Sequence, residues 1–390
     1  MRFLPNALIR YFPLFLVLKT IFFNEYLIYF LKIGLTCDWP CDGAKCSSDA
    51  LRVFFIADTH LLGEREGHWF DKLRREWQMY RAYQTALFFL SPDAVFFLGD
   101  LMDEGQWGDK ATFHRYADRF DSLFGSTSSD GPPVHVLAGN HDLGFHYTIS
   151  PFRVEWFERR FNRSVVDTVV LKGQPFVLVT SMALHGDGCR FCEEAVTKLE
   201  ALSYELDCAK LDNCPRNAPS QFQPYRRPIL LQHFPLYRIS DDDCFRDEDF
   251  DEDDPNRGDI YRPKWEALSE ESTNLILRKL EPRAVFNGHT HRGCKKRWSR
   301  PFGVFWEYTV NSFSWRNGNR PTFLMATISK DDVLVGTCHL PNESTVINIY
   351  CIMAIITVIW ISRSLLVARY PGVLRRYRSH SGFNKLIKSG

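Results

Sequence analysis

Five polar clusters along this chain, each closing a short apolar run, constrain its fold more than any other feature. They are Asp58-Thr59-His60, Gly99-Asp100-Leu101-Met102-Asp103, Gly139-Asn140-His141-Asp142, His233 and Gly288-His289-Thr290-His291. The runs before them (Leu51–Ala57, Ala94–Leu98, Val134–Ala138, Ile229–Gln232 and Ala284–Phe286) have the length and near-continuous apolarity of buried strands. Between the first three lie helical patterns, marked by Leu73, Trp77, Tyr80, Gln84 and Leu87, then by Phe113, Tyr116, Phe120 and Leu123. Strand–helix–strand alternation predicts an α/β fold with a largely parallel sheet. Val166–Leu171, Phe176–Thr180, Val304–Tyr308 and Thr322–Ile328 are further strand candidates. Ligands of open α/β sheets gather outside the carboxyl ends of the strands, so the clusters are expected to converge there.

Any one cluster has an ordinary explanation as a turn or a core histidine. The ordered set does not. It offers carboxylates, imidazoles and an amide carbonyl, a mixture that suits Mn²⁺, Fe or Zn²⁺. The seven candidates (Asp58, His60, Asp100, Asn140, His233, His289 and His291) are too many for one catalytic ion with an open position. They suit two ions sharing a carboxylate. At an extended strand end residues i and i+2 project together, which pairs Asp58 with His60 and His289 with His291. Glycine before Asp100, Asn140 and His289 permits tight turns and close backbone approach.

The set D-x-H, G-D, G-N-H-D, H and G-H-x-H resembles the signature of the calcineurin-like metallophosphoesterase superfamily. That resemblance implies a four-layer α/β/β/α sandwich with two metals between the sheets. By position, Asp58, His60, Asp100 and His291 would hold the first ion. Asp100, Asn140, His233 and His289 would hold the second, with Asp100 bridging. His141 would be the catalytic histidine beside the substrate, oriented by Asp103. The related protein Ser/Thr phosphatases carry Arg-Gly after the second cluster and G-N-H-E in the third. This chain has Glu104-Gly105 and Asp142 there, which argues against a phosphoprotein substrate.

Both ends are apolar. Tyr11–Leu35, interrupted by Lys19, Asn24 and Glu25, exceeds the roughly 20 residues that cross a bilayer, and Val346–Ser362 falls slightly short of them but is almost free of charge. A signal peptide is the rival for the first, but no A-x-A-like cleavage site follows its apolar part, so an uncleaved anchor is favoured. Arg2 and Arg10 precede the first run. Arg363, Arg369, Arg375, Arg376, Arg378, Lys385 and Lys388 follow the second, and cationic flanks favour the cytosolic side. The expected layout is a cytosolic N-terminus (1–10), a transmembrane helix (11–35), a luminal domain (50–340), a second transmembrane helix (345–362) and a basic cytosolic tail (363–390). Ten cysteines lie between the apolar ends and one, Cys351, within the second. The even count suits disulfides in an oxidising compartment. A zinc site at Cys189-x-x-Cys192 is the weaker reading. Asn162-Arg-Ser and Asn342-Glu-Ser are glycosylation sequons. Net charge is +1, so bulk charge gives no case for nucleic acid. The acidic stretch from Asp241 to Asp254 reads as a solvated, mobile loop.

Longer blocks resemble one branch of the superfamily, the phosphoesterases that remodel glycosylphosphatidylinositol anchors. They are Ala57–Met79, Gly139–His146, Leu230–Arg238 and Asn311–Asn317. The resemblance implies removal of an ethanolamine-phosphate branch from an anchor mannose, with Mn²⁺ as metal. It implies anchored proteins as substrate, cargo receptors as possible further partners, and residence in membranes of the endoplasmic reticulum, its exit sites, the intermediate compartment and the Golgi. Rival readings are a luminal phosphodiesterase on a nucleotide or lipid head group, and a cargo escort without chemistry. The tail ends Lys385-Leu-Ile-Lys388-Ser-Gly, not in a clean dilysine signal. His68, His146, His185, Asp187 and Arg316 are candidates for the substrate pocket or for structural roles.

Overall fold

The structure is a computed structural model that describes residues 6–41, 49–125, 131–186, 188–215, 220–245 and 257–369. Two compact units emerge: Leu31–Leu340, and the two terminal segments Met1–Phe30 with Pro341–Gly390.

The larger unit contains two sheets. The first has the order β11 (Val333–His339), β10 (Thr322–Ile328), β1 (Leu51–Ile56), β2 (Ala94–Phe97), β3 (Val134–Val136). The second has the order β4 (Val166–Leu171), β5 (Gln174–Val179), β6 (Ile229–Gln232), β7 (Ala284–Asn287), β9 (Gly303–Thr309), β8 (Cys294–Arg300). Strands β1, β2 and β3 pair in parallel, as do β5, β6, β7 and β9. The remaining ladders are antiparallel. The parallel expectation therefore holds for β1–β2–β3 in the first sheet and for β5–β6–β7–β9 in the second, with antiparallel strands completing each sheet. Strand β8 reads CKKRWSR and carries no apolar run. It is an edge strand, where charge guards against further pairing, so its polarity hid it.

The period of two divides β1 between two cores. Val53, Phe55 and Ala57 join Phe96, Phe176, Leu231 and Phe286 between the sheets. Phe55 stacks on Phe286 at 3.9 Å between ring centroids, and Phe96 meets Phe176 at 4.7 Å. Phe54 points the other way, to Trp39 and Phe323. The helices Trp69–Leu90 and Lys110–Phe124 cover that outer face through Tyr83, Phe120 and Phe124 around Phe97. In the first helix the buried stripe is Met79, Ala82, Tyr83, Ala86 and Leu90, while Leu73 is exposed. Small residues bring the helix close to the sheet, so the bulky stripe was not the buried one.

Four disulfides are described: Cys37–Cys338, Cys189–Cys192, Cys208–Cys214 and Cys244–Cys294. Cys189-x-x-Cys192 is thus a bridge and not half of a zinc site. Cys351 is free. Cys46 lies outside the described residues, as do Asp187, residues 246–256 of the acidic stretch and the tail beyond Arg369. At the start of that stretch Asp242 and Asp243 are exposed, but Asp241 and Cys244 are anchored in the fold. Asp241 is buried, accepting from Arg238 Nε at 2.8 Å and from Tyr261 Oη at 2.5 Å, because the buried guanidinium of Arg238 requires a counter-charge.

Among the described residues, two helices are long and apolar enough to cross a membrane, Tyr11–Thr36 and Glu343–Leu366. In the smaller unit two of the three polar interruptions of the first, Asn24 and Glu25, face the second. Asn24 donates to the Val346 carbonyl at 3.3 Å, and Tyr350 bonds Glu25. Polar groups in apolar surroundings need such partners.

Phe286→Ala should remove the ring that joins the two sheets and cost about 3–5 kcal/mol. A thermal unfolding curve of the detergent-solubilised protein should show a clearly lowered midpoint, and an unchanged midpoint would contradict this account of the core.

Candidate metal centre

The five clusters meet at one end of the sandwich. Asp58, His60, Asp100 and His291 form one group of mutually close donor atoms, and Asp100, His233 and His289 form another. Asp100 belongs to both. Its Oδ2 lies 3.5 Å from His60 Nε2 and 3.3 Å from His233 Nε2, while Oδ1 accepts from the main chain of His141 at 2.8 Å. His60 Nε2 and His291 Nε2 are 3.0 Å apart. Asn140 Oδ1 stands 3.2 Å from His233 Nε2.

These side chains do not converge through strand alternation. Asp58, His60, Asp100, His289 and His291 lie beyond the ends of their strands with positive φ, from 43° to 75°. A left-handed backbone is costly for residues other than glycine and persists where the surroundings hold it. Here they do. Asp58 accepts from His289 N at 3.0 Å, and its carbonyl accepts from Ser312 Oγ at 2.7 Å. Asp142 receives the main-chain N–H groups of Gly139, Leu101 and Met102 at 2.8–3.2 Å. Two glycines are sterically required. A Cβ on Gly139 would stand 2.2 Å from Asp100 Oδ1, and one on Gly99, at φ 100°, would stand 2.5 Å from His233 Nδ1.

Three imidazoles are oriented by acceptors outside the centre. His60 Nδ1 donates to Asp103 Oδ1 at 2.9 Å, His233 Nδ1 to the Leu98 carbonyl at 2.8 Å, and His289 Nε2 to the Trp265 carbonyl at 2.6 Å. Each bond leaves the opposite nitrogen to face the centre. For His289 that nitrogen, Nδ1, is buried without a hydrogen-bond partner. Such outer bonds set the tautomer of metal-binding histidines, so the donor set fits divalent cations. Asp103 touches two of the histidines. Its carboxylate holds His60, and its main-chain carbonyl accepts from His141 Nδ1 at 2.9 Å. The carboxylate is 3.6 Å from the same nitrogen.

Charge is crowded here. Burial, with the Asp100 charge adding to it, pushes Asp58 up to about 8. Burial opposes ionisation of Asp100 as well, yet His233, His141 and His60 hold it well below the usual carboxylate range. Burial likewise opposes a charge on His233, but Asp100 raises it to about 9. Burial and neighbouring His233 push His289 down to about 3. Protons thus occupy Asp58 and His233, where cations would replace them.

Residues 51–293 match the family model described as calcineurin-like phosphoesterase. The chain belongs to that family. It is 45% identical over 371 residues to Metallophosphoesterase 1 homolog of Caenorhabditis elegans, covering 95% of this chain and 94% of the relative. It is 42% identical over 344 residues to Metallophosphoesterase 1 of Macaca fascicularis, covering 86% and 84%. Metallophosphoesterase 1 of Xenopus laevis is 40% identical over 356 residues, covering 87% and 85%. The chain is therefore a metal-dependent phosphoesterase.

Several partners had no sequence signal. A main-chain carbonyl such as that of Trp265 leaves no trace in a motif, and Asp142 could have been noticed only as the last letter of its cluster. Of the other candidates, His68 caps the helix Trp69–Leu90 by accepting from Phe70 N at 3.4 Å. His146 and His185 pack on each other at 4.8 Å between centroids. Arg316 reaches the centre, with Nη2 3.5 Å from Asp103 Oδ2.

Asp100→Asn should lose bound metal and turnover together, and Gly139→Ala should lose metal without changing any donor. Elemental analysis of the purified variants reads both; full metal content in Asp100→Asn would remove Asp100 from the centre. Groups raised to about 8 (Asp58) and about 9 (His233) hold protons at neutral pH that metal must displace. Metal affinity should therefore rise with pH through that window. Calorimetric titration of the chelator-treated protein at pH 7, in buffers of different ionisation heat, should report net proton release.

Proposed function

We propose that this phosphoesterase removes an ethanolamine-phosphate branch from a mannose of glycosylphosphatidylinositol anchors, in the lumen of the early secretory pathway. The observation that carries the chemistry is the gathering of six other candidate donors around the carboxylate of Asp100, which belongs to both groups. In the proposed assignment, Asp58, His60, Asp100 and His291 hold one divalent ion, and Asp100, Asn140, His233 and His289 hold the other. Mn²⁺ is the metal suggested by the resemblance of the blocks Ala57–Met79, Gly139–His146, Leu230–Arg238 and Asn311–Asn317 to the anchor-remodelling branch. When bound, the two cations neutralise the phosphoester and acidify the attacking water.

The reaction joins a water oxygen to phosphorus and breaks the bond from phosphorus to the mannose oxygen, which needs a proton. His141 is placed to give it. Burial opposes its charge, but Asp100 and the Asp103 carbonyl raise its pKa above the ordinary histidine value, which favours the proton-bearing form that a general acid needs. Nδ1 is committed to Asp103, which leaves Nε2 as the donor. Asp103 acts as a positioning residue, holding His60 by its carboxylate and His141 by its carbonyl.

The luminal assignment draws on the disulfides, which belong to oxidising compartments, and on the cationic flanks of both apolar segments. Two membrane helices would keep the enzyme at the surface where its anchored substrate resides. An escort without chemistry is disfavoured because every donor position and His141 are filled. A phosphodiesterase acting on another luminal substrate is the reading that the following test separates.

Cells lacking the protein are rescued with wild type, Asp100→Asn or His141→Ala, and the anchor glycan of a reporter is weighed by mass spectrometry. Only wild type should remove one ethanolamine phosphate. His141→Ala should retain metal while turnover falls about 10²–10⁴-fold, the usual worth of a general acid. A glycan left untrimmed by wild type would refute the anchor assignment.

A further inference from the structure

Beside the centre, three charges of alternating sign run from Asp103 outward. Asp103 Oδ1 holds His60, and its Oδ2 lies 3.5 Å from Arg316 Nη2. That same Nη2 lies 4.0 Å from Glu66 Oε2. Both spacings are looser than the 2.7–2.9 Å of a close charge-assisted bond, and Arg316 Nε has no hydrogen-bond partner. The side chains of Arg316 and Glu66 are 36% and 55% exposed, so ligand can reach them.

Their main chains, in contrast, are fixed from beneath. Glu104 is buried and accepts from Glu66 N at 2.7 Å, Arg65 N at 3.0 Å and Tyr116 Oη at 3.4 Å. Arg316 N donates to Ser314 Oγ at 3.1 Å. Glu104 thus holds a neighbouring loop, and the cation that reaches Asp103 is Arg316.

We propose that Arg316 and Glu66 form a clamp for a zwitterion, Arg316 taking a phosphate oxygen and Glu66 the ammonium of a 2-aminoethyl phosphoester. The inference rests on the function proposed above and names the residues that select its substrate. An aminoethyl ester carries its positive charge a few bonds from phosphorus, so a site for it needs a carboxylate close to its phosphate-binding cation. The alternatives nearby are committed. Asp58, Asp100, Asp103 and Asp142 are buried and already bonded, Glu104 holds the loop, and Glu64 pairs with Arg115 at 3.3 Å. Glu66 keeps one loose partner among the described contacts. When phosphate draws Arg316 away, the carboxylate is released for the ammonium. Exchanging one exposed ion pair for another costs little.

The test compares two ligands that differ in the amine, ethanolamine phosphate and ethyl phosphate, on the full-length, metal-loaded protein in detergent. Calorimetry should show wild type binding ethanolamine phosphate about 5–10-fold more tightly, which is about 1–1.4 kcal/mol. Glu66→Gln should abolish that preference by weakening the amine ligand alone, and Glu66→Asp should restore part of it. Arg316→Gln should weaken both ligands about tenfold. Metal content at the wild-type level in each variant shows that the centre is intact. Equal affinities in wild type, or equal weakening of both ligands by Glu66→Gln, would overturn the clamp. The anchor assignment fails separately: an amine preference with an untrimmed cellular glycan keeps the clamp and removes the anchor, whereas a trimmed glycan without the preference does the reverse.

Discussion

Asp100 is a fully buried carboxylate that three histidines hold in its charged form, and much of the surrounding architecture answers to that charge. Its two oxygens have separate duties. Oδ1 fixes the main chain of His141, and Oδ2 sits between His60 and His233. A buried charge is tolerated only when paired and hydrogen-bonded. The cluster order along the chain therefore becomes a spatial order around one side chain. Gly99 and Gly139 press against His233 and Asp100 at distances that exclude any Cβ, so sequence identity at those positions follows from the need to surround Asp100 closely.

The strain in this arrangement is concentrated where the chemistry is. Five candidate donors have a left-handed backbone, and each lies beyond the end of a strand locked by the inter-sheet aromatic core. Phe55, Phe96, Phe176 and Phe286 are all almost fully buried. A rigid platform of this kind resists relaxation of the loops above it. Those loops are then held by carboxylates that serve no metal in the assignment: Asp142 for the Gly139 turn, Glu104 for the Arg65–Glu66 turn and Asp103 for His60. The acidic side chains at this end thus divide between holding cations and holding the polypeptide that holds cations.

This division explains what was legible from residues alone. The seven donors and His141 stood at the ends of apolar runs, and nine of the eleven described strands followed from such runs. Strand β8 escaped because an edge strand carries charge, and β11 because it is a half-buried edge strand whose short apolar run, Val333–Val335, gives way to Gly336-Thr337. The contact between Asp103 and His141 was anticipated, but not the atom that makes it. A motif specifies a side chain, whereas the bond uses a main-chain oxygen. The reading of Asp58 and His60 as extended neighbours failed for a related reason. Alternation holds only while the ladder continues, and the ladder ends at Ile56.

What superfamily chemistry requires and what this chain adds lie in different residues. Donors placed by strand ends can process many phosphoesters, because cations recognise the phosphate and not the groups attached to it. Selectivity must come from side chains beyond the donor set. Glu104 ties down the loop that brings Glu66 within 4.0 Å of Arg316. A positive and a negative charge thus stand together beside the centre, beyond the donor set. Under the clamp proposed above, an entrance with that polarity would favour esters that carry their own cation.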